Sequence, residues 1–265
     1  MNTKGPQPMH NYHRIEPAPY YQDDTATIYT GDMFDVLPIL KDVDAFITDP
    51  PYSSGGMFKA DRSKPVVAKY VQTGTQAFRP EFEGDNRDQR SFFAWSTLWL
   101  TAAWHATRPG GHLMVFTDWR QLPTTTDAVQ AAGWLWQGIE VWHKTIARPR
   151  PNAFRADSEF IVWATKGPQG KQDNKTATYL NGVFPSQPPK DRFHTTQKPI
   201  PVMEWLCSLL PEGSTIADPF MGSGSTLVAA RNLGHKVIGC ELSEPFADHT
   251  IERLQTEVQS KEGAA

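Results

Sequence analysis

Cysteine is nearly absent. In 265 residues only Cys207, in "EWLCSLL", and Cys240, in "VIGCELS", occur, each inside an apolar run that suits a buried free thiol. A disulfide framework is therefore excluded. No stretch approaches the roughly 18 apolar residues of a membrane span, and the first thirty residues lack a basic segment followed by an apolar one. The reading is a reducing, cytoplasmic protein with no membrane partner. The eight histidines are scattered, with neither HExxH nor the Cys/His spacing of a zinc site, so no metal is expected. Charge of one sign is lacking too. The 26 basic and 29 acidic residues give a net charge of −3, which excludes a polybasic coat on nucleic acid and makes any anion binding local.

What is present is an alternation. Short apolar runs recur with the length and flanks of buried strands: "ATIYTGD", "DAFITDP", "GHLMVFTD", "GIEVWHK", "EFIVWATK", "STIADPF" and "HKVIGCEL". Helical stretches fall among them, namely "SFFAWSTLWLTAAWHATRPGG" with its double glycine as a stop, "LPTTTDAVQAAGW", "PIPVMEWLCSLL", "STLVAARNLG" and "EPFADHTIERLQTEV". Strands alternating with helices predict an α/β domain with a largely parallel sheet covered on both faces. "GIEVWHK" and "EFIVWATK" have no helix between them and are expected to pair antiparallel. Residues 1–25, rich in Pro, Asn and His, read as a flexible arm before a single domain over 26–265.

Two long stretches, about 53–90 and 145–195, resist assignment. Loops of this length in a compact domain are commonly functional. Both carry clustered cations, Lys59, Arg62 and Lys64 in the first and Arg148, Arg150 and Arg155 in the second, interleaved with acids. The readings are a solvated loop or phosphate contact.

"IADPFMGSGST" places Gly222, Ser223 and Gly224 between a strand and a helix. In a parallel sheet such a turn lies at the carboxyl edge, where amides and the helix start hold a polar ligand. Glu241 ends the next strand, where an acid commonly takes ribose hydroxyls. The GxGxxG register puts Leu227 at the third glycine, which disfavours a dinucleotide, and the lack of Gly-Lys-Ser/Thr disfavours a nucleoside triphosphate. Asp218 would repel a pyrophosphate yet accept from an amine, and Phe220 offers apolar surface. A ligand with ribose, a cationic amine and no phosphate fits, and S-adenosylmethionine is the common one. Lys198, at the start of a helix in "HTTQKP", opposes the macrodipole, and the readings are a lysine facing an anion, such as a cofactor carboxylate or a DNA phosphate, or one freely solvated.

"DAFITDPPYSSGG" ends a strand in Asp49, Pro50, Pro51 and Tyr52. Successive prolines stiffen the exit and remove amide donors, leaving carbonyls free to accept. Asp49 and the Pro50 carbonyl suit an NH2 group, and Tyr52 offers a ring on which a planar base stacks. Methyl transfer to an exocyclic base amine needs such orientation and electrostatics. It needs no separate strong base, because the proton can leave after the nitrogen becomes cationic.

These motifs resemble those of the β-group DNA amino methyltransferases, in which the catalytic motif precedes the cofactor motif. "DPPY" at 49–52 is similar to their catalytic motif, "DPFMGSGST" at 218–226 to their cofactor turn, and "HTTQKP" at 194–199 to their HPTQKP segment. "IYTGD", ending in Asp32, is similar to a further adenosine-contacting segment. The resemblance implies a Rossmann-like S-adenosylmethionine-dependent methyltransferase fold, with a seven-stranded, mostly parallel sheet, one antiparallel strand and permuted motif order. It implies Asp49, Pro50, Pro51 and Tyr52 as catalytic. It implies Asp32, Thr196, Lys198, Asp218, Phe220, Gly222, Ser223, Gly224 and Glu241 around the cofactor, whose product is S-adenosylhomocysteine. Double-stranded DNA is the implied partner, met through the two cationic loops, in a bacterial or phage-infected cell of restriction-modification type; a homodimer is compatible with this. Asp49 favours adenine N6 over cytosine N4, and over the RNA or protein-glutamine enzymes that more often carry Asn there. Carbon-5 chemistry is disfavoured, since neither cysteine follows a proline on an exposed loop.

Overall fold

The computed structural model describes residues 16–53, 87–147, 149, 151–170, 177–189 and 197–262, the last six of these by backbone alone. Among them run β1 (Tyr21–Gln22), β2 (Ala26–Thr30), α1 (Met33–Val36), β3 (Val43–Thr48), α2 (Gln89–Ala106), β4 (Thr107–Thr117), α3 (Leu122–Ala131), β5 (Leu135–Lys144), β6 (Ser158–Thr165), β7 (Val183–Ser186), α4 (Ile200–Cys207), β8 (Thr215–Asp218), α5 (Ser225–Asn232), β9 (Lys236–Glu241) and α6 (Glu244–Glu262). They form one sheet in the order β1-β2-β9-β8-β3-β4-β6-β5-β7. From β2 to β4 every pairing is parallel, whereas β6 runs antiparallel to both β4 and β5. The expected α/β sheet and its antiparallel pair are both present.

Side chains alternate across the sheet with period two, so each strand feeds two cores. Ala45, Ile47, Met114, Phe116 and Ile161 face Val202, Met203 and Leu206 of α4 and Leu227 and Val228 of α5. Phe46, Leu113, Val115 and Val162 face the opposite way, onto Trp99, Leu100 and Ala103 of α2 and Ala128 and Val129 of α3. Full burial of a side chain such as Phe46 or Leu113 contributes roughly 1.5–3 kcal/mol. Both cysteines are free and buried, and burial pushes both thiols up, which suits inert packing.

Two strands go beyond the seven expected. Tyr21–Gln22 falls within the arm expected over 1–25 and pairs antiparallel with β2. Its two residues are too few for periodicity to reveal. Asp23 fixes the turn by accepting from the Thr25 and Ala26 amides, each at 2.8 Å. Val183–Ser186, within the expected 145–195 insertion, extends the far edge beside β5, with Phe184 stacked on Trp205 at 5.2 Å. A further correction concerns "TRPGG". It does not stop α2 but begins β4, because the backbone at Gly111 approaches β3 so closely that a Cβ would lie 2.9 Å from the Asp44 carbonyl oxygen. Glycine there serves close strand approach, not a helix cap.

Glu140 on β5 lines a cavity of about 260 Å³ with Trp163, Trp205 and Leu206. Its Oε2 is buried without a hydrogen-bond partner among the described residues, and burial pushes the carboxyl up to about 7. The folded pKa lies above the unfolded value, so the fold favours the protonated form: its stabilising effect is full below about 4.5 and lost as pH rises through about 7. Glu140→Gln, which keeps the volume without the charge, is expected to melt progressively higher than wild type as pH is raised from 5 to 8. A melting difference independent of pH would contradict this.

Candidate active site

The carboxyl ends of β3, β8 and β9 converge on one edge of the sheet, the place where parallel sheets hold ligands. Thr48, the fully buried last residue of β3, donates its hydroxyl to Asp218 Oδ1 at 2.5 Å. The same oxygen accepts from the Phe220 amide at 3.0 Å, and Oδ2 accepts from the Thr226 hydroxyl at 2.6 Å. Asp218 therefore ties the end of β3 to the end of β8 and the first turn of α5. Burial pushes its carboxyl up to about 6, against the pull of these hydrogen bonds. Asp218, expected to accept from a ligand's amine, has both its oxygens engaged within the protein at 2 % exposure.

The turn that follows needs its glycines. Gly222 and Gly224 have φ of 50° and 76°, the left-handed region where a side chain is strained. A Cβ on Gly224 would also lie 2.4 Å from Thr250 Cγ2, while over Gly222 the same construction meets nothing within 4 Å. Of these two glycines, Gly222 is the one with open space over its Cα. Glu241 secures the turn, its Oε2 accepting from the Gly222 amide and its Oε1 from the Ser243 amide, both at 3.0 Å. Burial pushes the Glu241 carboxyl up, with these amides opposing. Ser223 is buried and its carbonyl accepts from Arg253. Phe220 packs on Trp99 at 5.2 Å and Trp95 at 5.4 Å, which makes an aromatic wall. Asp32, exposed at the end of β2, caps α1 by accepting from the Phe34 amide at 2.9 Å.

On the β3 side, Asp49 Oδ1 accepts from the Tyr52 hydroxyl at 2.5 Å, and Oδ2 is bound by the Lys198 ammonium. Lys198 also lies 3.3 Å from Glu159 Oε2, and Lys144 lies 2.5 Å from Glu159 Oε1. Lys198, expected to face an anion of a ligand, thus faces two carboxylates of its own chain at 5 % exposure. Two ammonium groups and two carboxylates leave the cluster neutral. That matters because an unpaired buried charge costs several kcal/mol.

The cluster sets each charge state. Burial raises Asp49 more than the Lys198 ammonium lowers it, so this carboxyl titrates above the usual carboxylate range. Burial works to raise Glu159 as well, but Lys198 and Lys144 outweigh it and hold the carboxyl low. Burial works to lower Lys198, and the two carboxylates outweigh it and hold it charged. Burial and the neighbouring Asp49 and Glu159 charges push the Tyr52 phenol well up, which keeps it a hydrogen-bond donor.

Glu159, Lys144 and Thr48 were not singled out from sequence. A signal for Glu159 exists. β6 runs antiparallel to β4, so its first residues come to the edge where β3 ends, and "SEFIVWAT" carries one acid near its head. Of the expected phosphate contacts, Lys59, Arg62, Lys64, Arg148 and Arg150 lie outside the described residues, as does Thr196. Arg155 is exposed next to Phe154, which is 97 % exposed. Just beyond β4, Trp119 is also exposed, with the Arg120 guanidinium 4.8 Å from its ring centre.

The family model described as a DNA methylase, of N6/N4 type, matches residues 43–252. Among curated proteins, the type II methyltransferase M2.LlaDCHI of Lactococcus lactis subsp. cremoris is 26 % identical over 259 residues, covering 89 % of this chain and 91 % of that protein. The type II methyltransferase M2.DpnII of Streptococcus pneumoniae is 24 % identical, covering 90 % and 93 %. The solved M1.HpyAVI–SAM complex superposes with a TM-score of 0.61 at 24 % identity, over 86 % of this chain and 99 % of that one. The PvuII cytosine-N4-specific DNA methyltransferase superposes with a TM-score of 0.67 at 15 % identity, over 89 % and 88 %. These superpositions show the fold.

Gly224→Ala combines a strained φ with a clash against Thr250. It is expected to destabilise the protein by about 1–3 kcal/mol in a denaturant titration. A loss below about 0.5 kcal/mol would show that the turn adapts freely.

Proposed function

The chain belongs to the N6/N4 DNA methylase family, and within it we propose that it transfers a methyl group from S-adenosylmethionine to the N6 amine of an adenine flipped out of double-stranded DNA at a specific sequence. The observation that carries this reading is the joint placement of Asp49 and Tyr52, linked by a 2.5 Å hydrogen bond, at the edge that also holds the Gly222–Gly224 turn.

The residues of that turn fit the cofactor. Open space over Gly222, the exposed carboxylate of Asp32 and the rim formed by Glu241 and Phe220 suit a nucleoside without phosphate. When bound, S-adenosylmethionine supplies a sulfonium-activated methyl group and departs as S-adenosylhomocysteine. Its carriers in this chain are Asp32, Phe220, Gly222, Ser223, Gly224 and Glu241, with Asp218 behind them as the buried clamp.

The amine is a poor nucleophile because its lone pair is delocalised into the base. Asp49 and the Pro50 carbonyl accept from its two hydrogens and favour a pyramidal nitrogen whose lone pair is withdrawn from the ring. Tyr52 stacks the base, and its hydroxyl steadies Asp49. As nitrogen becomes cationic, the Asp49 carboxylate stabilises the developing charge, and the proton leaves afterwards to water. Adenine is favoured over cytosine by Asp at the head of the motif. Arg155, Trp119 and Arg120 offer a cationic and aromatic surface to the duplex, and the cations outside the described residues extend the same reading.

Modification-aware sequencing of DNA from cells expressing the protein, beside an Asp49→Ala control, tests the proposal. N6-methyladenine confined to one short context is expected, with activity reduced about 10²–10³-fold or more in the variant. N4-methylcytosine would overturn the choice of adenine, and unmarked DNA would overturn the reaction.

A further inference from the structure

Asp49 is occupied before any base arrives. Its Oδ1 accepts from Tyr52 and its Oδ2 from the Lys198 ammonium. An ammonium N–H and an amine N–H are the same kind of donor, and a carboxylate already neutralised by the Lys198 ammonium is a weaker acceptor for a target amine. The ammonium also opposes methyl transfer, because a positive charge beside Asp49 cancels the field that would stabilise a nitrogen turning cationic. Methyl transfer is therefore favoured when the ammonium shifts away from Asp49. The ammonium cannot move to no partner, since an uncompensated ammonium at 5 % exposure would bear the full cost of desolvation.

A second seat is already built. Glu159 Oε2 lies 3.3 Å from the same nitrogen, so Lys198 needs only a small swing to transfer. Lys144, 2.5 Å from Oε1, keeps Glu159 ionised and in position, and the Tyr52 hydroxyl lies 3.4 Å from Oε2. The entering base amine is uncharged, so the exchange leaves the buried cluster neutral at every stage.

We propose that, on the amino-methylation reading above, Lys198 is a placeholder on Asp49, and that Glu159 is the positioning residue that receives its ammonium when the target amine enters. Glu159 thereby governs access of the amine to Asp49 without itself touching the base. With Glu159 neutralised, Asp49 is left as the carboxylate that holds Lys198, and the amine meets a weaker acceptor.

Steady-state methylation of DNA carrying the mapped site, with cofactor binding measured by calorimetry, tests this on the full chain. Glu159→Gln is expected to lower kcat/KM for DNA about ten- to a hundredfold, mainly through KM for DNA. Its cofactor Kd should stay within about twofold of wild type. Glu159→Asp keeps the charge and is expected to recover most of the loss, which separates a role of charge from a role of shape. In a Lys198→Met background, adding Glu159→Gln should cost no more than about twofold, because there is no ammonium left to receive. A Glu159→Gln enzyme at wild-type kcat/KM, an equal loss of cofactor affinity, or independent effects of the two substitutions would each overturn the inference while the wild type still methylates DNA. A wild type that methylates no DNA would overturn the functional reading itself, and the inference with it.

Discussion

The hydroxyl of Thr48 on the carboxylate of Asp218 joins the two halves of the site. β3 delivers Asp49 and Tyr52, and β8 delivers the glycine turn, yet the two strands are separated in the chain by the whole of α2, β4, the antiparallel pair and α4. Parallel pairing aligns the strands only loosely at their ends, with two matched residue pairs. The buried clamp sets the final register. Asp218 also reaches Thr226 in the first turn of α5, so one carboxylate fixes the end of β3, the end of β8 and the helix that follows. A carboxylate so enclosed is costly to bury and is kept in place by three donors.

Beside the clamp lies a different kind of constraint. Lys198, Asp49, Glu159 and Lys144 form a neutral chain of alternating charge, with the Tyr52 hydroxyl bridging the two carboxylates. Such a network is weak as a source of stability, because desolvation offsets attraction, but strong as a specifier of charge state. It holds Lys198 charged against a burial that works toward the neutral amine. The geometry of this edge consequently centres on the Lys198 ammonium, seated between Asp49 and Glu159.

The strands and helices were legible in the sequence because buried parallel strands are short and apolar, and because glycine and proline punctuate them. The placement of Asp49, Tyr52 and the glycine turn at strand ends was legible as well, since prolines and glycines mark where a strand stops. What was not legible depended on distance. That both oxygens of Asp218 are engaged follows from Thr48 lying opposite, 170 residues away in sequence. Glu159 reaches Asp49 only because β6 reverses direction, and the partners of Lys198 follow from that reversal. Strand β1 was hidden by its brevity, and the start of β4 by a double glycine that mimics a helix stop.

The central claim is that this edge of the sheet delivers a methyl group to an exocyclic base amine. Its most direct measurement is transfer of label. Unmethylated double-stranded DNA is incubated with the protein and methyl-labelled S-adenosylmethionine, digested to nucleosides and separated. The account predicts label in N6-methyldeoxyadenosine. Label in 5-methyldeoxycytidine, or in no nucleoside, would contradict it.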